Sequence, residues 1–123
     1  MGEITQKRAS GNYGEDIAAA FLQQKGYKIV ERNFLCRLGE IDIIASDDDY
    51  LAFVEVKLRK DATHGEAREF VTRTKQKKII QAARFYLSRH ETELQPRFDV
   101  IEVYTPGGMG AKAWVRLIED AFR

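Results

Sequence analysis

Asp42, Glu55 and Lys57 are ionisable residues set inside apolar segments. Asp42 lies in Gly39-Glu40-Ile41-Asp42-Ile43-Ile44-Ala45. Glu55 and Lys57 lie in Leu51-Ala52-Phe53-Val54-Glu55-Val56-Lys57. Charged side chains in the middle of apolar strands are costly unless something compensates them. Two acids and an amine spaced like this could bring a divalent cation and a phosphate together. Phosphodiester hydrolysis needs an attacking water, a cation to neutralise charge at phosphorus, and help for the leaving oxygen. Bound Mg²⁺ or Mn²⁺ supplies much of that. Mg²⁺ takes oxygen ligands and keeps only one or two protein carboxylates. Asp42 and Glu55 match that requirement as metal ligands. Lys57 would orient the attacking water or stabilise the growing negative charge.

The elements must place these three groups on one face. Two β-branched, apolar runs around the acidic link Ser46-Asp47-Asp48-Asp49-Tyr50 predict a β-hairpin. With Asp48-Asp49 as the turn, residue i pairs with residue 97 − i. Asp42 then faces Glu55, and Glu40 faces Lys57. Opposed side chains share a face with their roots about 5 Å apart. Like charges so placed repel, and a divalent cation between them reverses the sign. A three- or five-residue turn would shift the register and separate Asp42 from Glu55. The competing reading is a Glu40–Lys57 salt bridge with Asp42 turned to solvent.

The rest of the chain alternates helical and extended patterns. Residues 1–11 are polar and read as a flexible N-terminal tail, with a single domain over 12–123. A first helix is expected over 13–24, capped by Asn12 and ended by Gly26. A strand over 27–35 precedes the hairpin, and residues 59–69 read as a loop. Val71, Lys75, Ile79, Ala82, Ala83 and Tyr86 recur at helical spacing and predict a helix over 71–90. Residues 97–104 read as a strand, 113–117 as a short edge strand and 118–122 as a short terminal helix. The expected fold is an α/β sandwich in the order α-β-β-β-α-β, with a mixed sheet flanked by helices.

Composition narrows the classes. The 123 residues are 44% hydrophobic and 32% charged, which fits one globular domain with a modest core. No apolar run approaches the roughly 18 residues of a membrane span, and the N-terminus lacks the apolar core of a signal peptide. The single cysteine, Cys36, excludes an internal disulfide and a cysteine-based zinc cluster. It reads as a small, part-buried side chain in a reducing, cytoplasmic protein. The net charge is only +1, but residues 40–55 carry six acids and no base. Residues 57–78 carry eight bases against three acids. An acidic pocket beside a basic surface suits a metal-dependent enzyme on a polyphosphate. Arg59, Arg73, Lys75 and Lys78 are the candidate nucleic-acid contacts, although charge runs also occur as plain solvated faces.

Other residues carry two readings each. Glu15 could reach a metal-bound water if the first helix packs over the hairpin; Asn12-x-x-Glu15 also resembles a capping box. Lys75 could reach a phosphate, or lay its stem along the apolar stripe with its amine at the surface. Asp99 in Arg97-Phe98-Asp99 reads as pairing with a neighbouring base, and Trp114 as packing rather than base stacking. His64 and His90 give no ligand spacing. Phosphate-binding loop, serine-hydrolase elbow and zinc-protease motifs are absent from the sequence.

Taken in order, the segments Gly14-Glu15, Gly26-Tyr27, Arg32-Asn33-Phe34, Gly39-Glu40-Ile41-Asp42-Ile43-Ile44, Phe53-Val54-Glu55-Val56-Lys57-x-Arg59, Val71-x-x-x-Lys75 and Arg97-Phe98-Asp99-Val100 resemble the YraN family of bacterial proteins. The resemblance spans about residues 11–104. That family is similar to archaeal Holliday junction resolvases and, through them, to the PD-(D/E)xK nucleases with their restriction-endonuclease-like fold. The resemblance implies a metal-binding role for Asp42, the (D/E)xK pair for Glu55 and Lys57, and a catalytic role for Glu15. It matches Lys75 to a recurring basic position. Ile41 stands where the wider motif has proline, and His64-Gly65 where many members have an aromatic before the glycine.

The leading expectation is a metal-dependent endonuclease acting on DNA, including branched DNA, with nucleic acid as its partner and no membrane. A homodimer follows only by analogy with resolvases, which cut two strands. The alternatives are a nucleic-acid-binding module that keeps the fold without turnover, and a protein-interaction domain.

Overall fold

The computed structural model describes residues 2–59, 71–108, 110 and 112–123, with side chains from Asn12 onward. The elements run α1 (Gly2–Gln24), β1 (Lys28–Cys36), β2 (Gly39–Ser46), β3 (Tyr50–Arg59), α2 (Arg73–Arg89), β4 (Gln95–Tyr104) and β5 (Trp114–Phe122). The five strands form one mixed α/β sheet in the order β1-β2-β3-β4-β5. Only β3 and β4 are parallel, and α2 is the crossover between them. The expected loop over 59–69 lies outside the described residues except for Arg59, which ends β3.

Each face of the sheet buries against one helix. Ala18, Ala19 and Leu22 of α1 pack with Ile43, Ala45, Ala52, Val54, Ile101 and Val103. Ile79, Ala82, Ala83 and Tyr86 of α2 pack with Ile41, Ile44, Leu51, Phe53 and Val100. The helical stripe read in the sequence is therefore the buried face of α2, and Thr72 caps it by accepting a hydrogen bond from Lys75 N. Gly26, at φ +98°, closes α1.

Three expectations are corrected. Residues 2–11, read as a tail, have helical backbone, because α1 begins at Gly2. Glu, Gln, Lys, Arg and Ala supply helix-compatible positions there. Asn12 therefore lies inside the helix, and Asn12-x-x-Glu15 is not a capping box. Finally, residues 118–122 are the second half of β5, not a helix. They pair with β4, whose backbone groups would otherwise lose partners on that side. A bulge and Asp120 at φ +54° turn the strand so that Phe122 stacks on Phe98 in the core.

The hairpin register holds where it is regular. Ile43 pairs with Val54, Ile44 with Phe53, Ala45 with Ala52 and Ser46 with Leu51. Asp47 fixes the turn, its Oδ1 accepting from the amides of Asp49 and Tyr50. The ladder ends at Ile43, immediately before Asp42. There both neighbouring strands change face. Ile41 and Phe34 pack on the α2 side. Ile43 packs on the α1 side, and Arg32 reaches Asp16 of α1. Residues two apart on a regular strand share a face; these do not. Asn33, at φ +55°, marks the switch on β1, in a conformation that asparagine tolerates better than most residues. Asp42 marks it on β2.

Candidate active site

Asp42 occupies the break in the ladder and repairs it. Its Oδ2 accepts a 2.8 Å hydrogen bond from Val56 N, replacing a strand carbonyl with a carboxylate. Glu55, next to Val56, is buried, with 4% of its side chain exposed. Lys75 Nζ lies 2.9 Å from Glu55 Oε2, and Lys57 Nζ lies 3.6 Å from the same oxygen. The structure thus brings Asp42, Glu55, Lys57 and Lys75 together where β2, β3 and the first turn of α2 meet. The Glu40–Lys57 salt bridge is not formed among the described residues; Lys57 faces Glu55 instead.

Asp42 lies close enough to Glu55 to feel its charge, while both ammoniums lie on Glu55. Burial, followed by the negative charge of Glu55, pushes the Asp42 carboxyl up to about 7. The Val56 amide opposes that rise, Glu15 adds to it, and Lys75 weakly opposes it. For Lys75, burial works against the ammonium, but the hydrogen bond and charge of Glu55, then the charges of Asp42 and Glu40, raise it above the ordinary lysine value. Half-buried Asp42, pushed up to about 7, and buried Glu55 offer two hard-oxygen donors. The Lys75 ammonium stands where added positive charge is favourable. Asp42 and Glu55 are oxygen donors of the kind a divalent cation takes, and would be its protein ligands. Among the described residues no set of three His, Cys, Asp or Glu side chains forms a metal cluster, so waters and phosphate oxygens would complete the shell.

Glu15 is held by Arg32, and its charge reaches Asp42. It sits on α1, one residue after Gly14, which packs against Leu58 at the end of β3. Its carboxylate is 3.5 Å from Arg32, which also holds Asp16 at 2.8 Å. Burial raises its pKa despite Arg32 and a hydrogen bond from Asn33.

The basic candidates separate. Arg73 and Lys78 are exposed on α2. A cleft of about 510 Å³ runs beside them, lined in part by Gly39, Glu40, Thr72, Lys75 and Lys78. A Cβ on Gly39 would come within 2.8 Å of Lys78 O, so glycine lets β2 start hard against α2. Arg59 is engaged differently, 3.7 Å from the buried Glu102. Glu102 escaped the sequence reading, yet it carries the signal that exposed Glu55: an acid inside the apolar run Val100-Ile101-Glu102-Val103-Tyr104. Asp99 pairs with Arg97 as expected. Cys36 is part-buried, also as expected. A larger cleft of about 850 Å³, partly lined by Tyr50, Arg84, Arg97, Phe98 and Arg123, lies at the far end of β3 and β4. Arg97 and Arg123 there are already paired with acids.

No helix among the described residues is long and apolar enough to cross a membrane. The chain is similar to uncharacterised bacterial proteins along most of its length. A relative from Caldanaerobacter subterraneus is 48% identical over 80% of this chain and 81% of its own. One from Clostridium perfringens is 44% identical over 94% and 95%, and one from Myxococcus xanthus 41% identical over 95% and 91%. All three carry the UPF0102 protein name. The model of the uncharacterised protein family UPF0102 matches residues 14–103, a span that contains Asp42, Glu55, Lys57 and Lys75, and the chain belongs to that family.

Proposed function

We propose that this protein is a metal-dependent endonuclease of restriction-endonuclease-like fold that hydrolyses phosphodiester bonds in DNA, branched DNA included. The observation that carries the reading is half-buried Asp42 beside buried Glu55, with Lys57 and Lys75 both on the Glu55 carboxylate. Asp42 and Glu55 would hold Mg²⁺ or Mn²⁺, which when bound activates water and neutralises phosphate charge. Lys57 holds its ammonium beside the Glu55 carboxylate and stabilises negative charge growing on the phosphate. Lys75, 2.9 Å from Glu55 and half-exposed, would be free to reach a phosphate oxygen. Arg73 and Lys78 bind the strand along α2.

The test is cleavage of labelled single strands, duplexes, flaps and four-way junctions with Mg²⁺ or Mn²⁺. Asp42→Ala and Lys57→Ala should each lower the cleavage rate by at least about 100-fold, with Lys57→Ala keeping most DNA binding. Equal rates for wild type and Asp42→Ala would sink the assignment. One observation favours a second reading, a nucleic-acid-binding module without turnover: Lys75 at 2.9 Å already neutralises Glu55 without a metal. Salt-dependent binding with no cleavage under either metal would select it.

A further inference from the structure

The face of the sheet that carries Glu55 and Lys57 continues across β4 and β5. In register, Lys57 neighbours Glu102 and Glu102 neighbours Arg116; one step further, Arg59 neighbours Tyr104 and Tyr104 neighbours Trp114. Val103, Val115 and Leu117 pack on the α1 side, so Glu102, Tyr104, Trp114 and Arg116 share the opposite side with Lys57. Trp114 lies flat on Tyr104, with ring centroids 4.0 Å apart and planes 8° from parallel. Tyr104 is buried, while Trp114 remains 48% exposed. Tyr104 supports the indole from beneath and leaves its other side open to solvent.

The charges beside it are also held in reserve. Glu102 is almost wholly buried and stands 3.7 Å from both Arg59 and Arg116. Its Oε1 accepts a hydrogen bond from Tyr104, but its Oε2 and Arg59 Nη2 are buried without hydrogen-bond partners among the described residues. Glu102 thus steers two guanidiniums without saturating their donors. Arg116, with 54% of its side chain exposed, presents the remainder to solvent. A flat aromatic beside a half-exposed guanidinium is the recognition chemistry of a base and its phosphate.

We infer that Trp114, supported by Tyr104 and flanked by Arg116 and Arg59, is a stacking platform for an unpaired base of a single-stranded nucleic acid. Its place in catalysis rests on the nuclease reading above. Two strand spacings and one two-residue step put Trp114 about 12 Å from Lys57, within reach of a short length of single strand. The platform would thereby favour substrates with an unpaired segment next to the scissile phosphate.

Trp114 is the sole tryptophan of the chain, so its fluorescence reports on the platform directly. In EDTA, titration with a short oligothymidylate or oligouridylate should quench that emission saturably. Binding should weaken steeply with salt. A blunt duplex should quench several-fold less. By anisotropy of a labelled single strand, Trp114→Ala should weaken binding roughly 10- to 100-fold. Trp114→Phe should retain most of it, which separates stacking from a folding defect. Arg116→Ala should lower the salt slope by about one. Binding unchanged in Trp114→Ala would overturn the inference. So would an emission shift that follows protein concentration without nucleic acid, since a second copy would then cover the indole. The two readings fail separately. Trp114-dependent binding with no cleavage in any metal removes the nuclease and keeps the platform. Cleavage with Trp114-independent binding does the reverse.

Discussion

Asp42 and Asp99 are both acids on the central strands of one sheet, yet their surroundings differ in kind. Asp99, wholly buried, receives Arg97 through Nε at 2.9 Å and Nη2 at 2.7 Å, and the Asp120 amide at 2.9 Å. Arg97 in turn donates to Tyr27 and stacks over Tyr50. Burial opposes its charge, but hydrogen bonds to Asp99 and Tyr27 hold it above the ordinary arginine value. That cluster has one cation for its buried anion. Asp42 instead shares its site with Glu55 and is pushed up to about 7. One buried acid is closed by its partners. The other has room for a partner that arrives later, and buried charge becomes a functional signal only in that second condition.

The largest effect should come from breaking the closed cluster. Arg97→Met leaves Asp99 buried without its cation, and breaking such a pair costs about 3–5 kcal/mol. Urea denaturation should show a lower midpoint at an unchanged slope. A loss below about 1 kcal/mol would show that Asp99 finds other partners and would erase the contrast with Asp42.

The open site should behave in the opposite sense. The Asp42 carboxyl ionises near 3.8 in the unfolded chain and near 7 in the fold. Between those values the folded state holds the extra proton, so stability falls as pH rises from about 4 to 7 and is flat above. Asp42→Asn removes that cost while its side-chain oxygen can still accept from Val56 N. In EDTA at pH 8 it should stabilise the protein by roughly 2–4 kcal/mol, and by almost nothing at pH 4. Mg²⁺ or Mn²⁺ at 100 times its Kd should add about 2.7 kcal/mol to the wild type at pH 8, and far less to Asp42→Asn. Equal stabilisation of both proteins by the cation would remove Asp42 as a ligand. Destabilisation by Asp42→Asn at pH 8 would show that the ionised carboxylate is needed for the fold itself.

How legible this contrast was depends on range. The acidic turn set the hairpin register because Asp47 organises it locally, and Arg97-x-Asp99 pairs within one strand. The stripe from Val71 to Tyr86 fixed the buried face of α2. The break at Asn33 and Asp42 was not legible. An even alternation carried past Ile43 puts Asp42 squarely opposite Glu55. The chain instead changes face there and delivers the carboxylate to Val56 N, a break that the alternation of side chains does not announce. Residues 118–122 were misread because their apolar residues fit helix and strand spacing alike, and only the open side of β4 decides between them. Glu102 was overlooked although it obeys the rule that picked out Glu55. Its importance lies in two arginines from other strands, a relation that appears only once the sheet is assembled.

The finest test of the open site concerns Lys75. Its ammonium touches Glu55 at 2.9 Å but acts on Asp42 only as the weakest of the named influences, and 46% of its side chain is exposed. Lys75→Gln removes that positive charge while keeping a polar side chain of similar length on the α2 stripe. With less positive charge nearby, the neutral form of Asp42 gains. Its carboxyl ¹³C resonance, followed by NMR against pH in EDTA, should therefore titrate at a higher midpoint than in the wild type. The shift should be small, because solvent screens the half-exposed amine, and high salt should shrink the difference further. An unchanged midpoint would place Lys75 with Glu55 alone and leave Asp42 governed by burial. A lower midpoint would show that Lys75 does not stabilise the ionised form of Asp42 and would remove it from the named influences on that carboxyl.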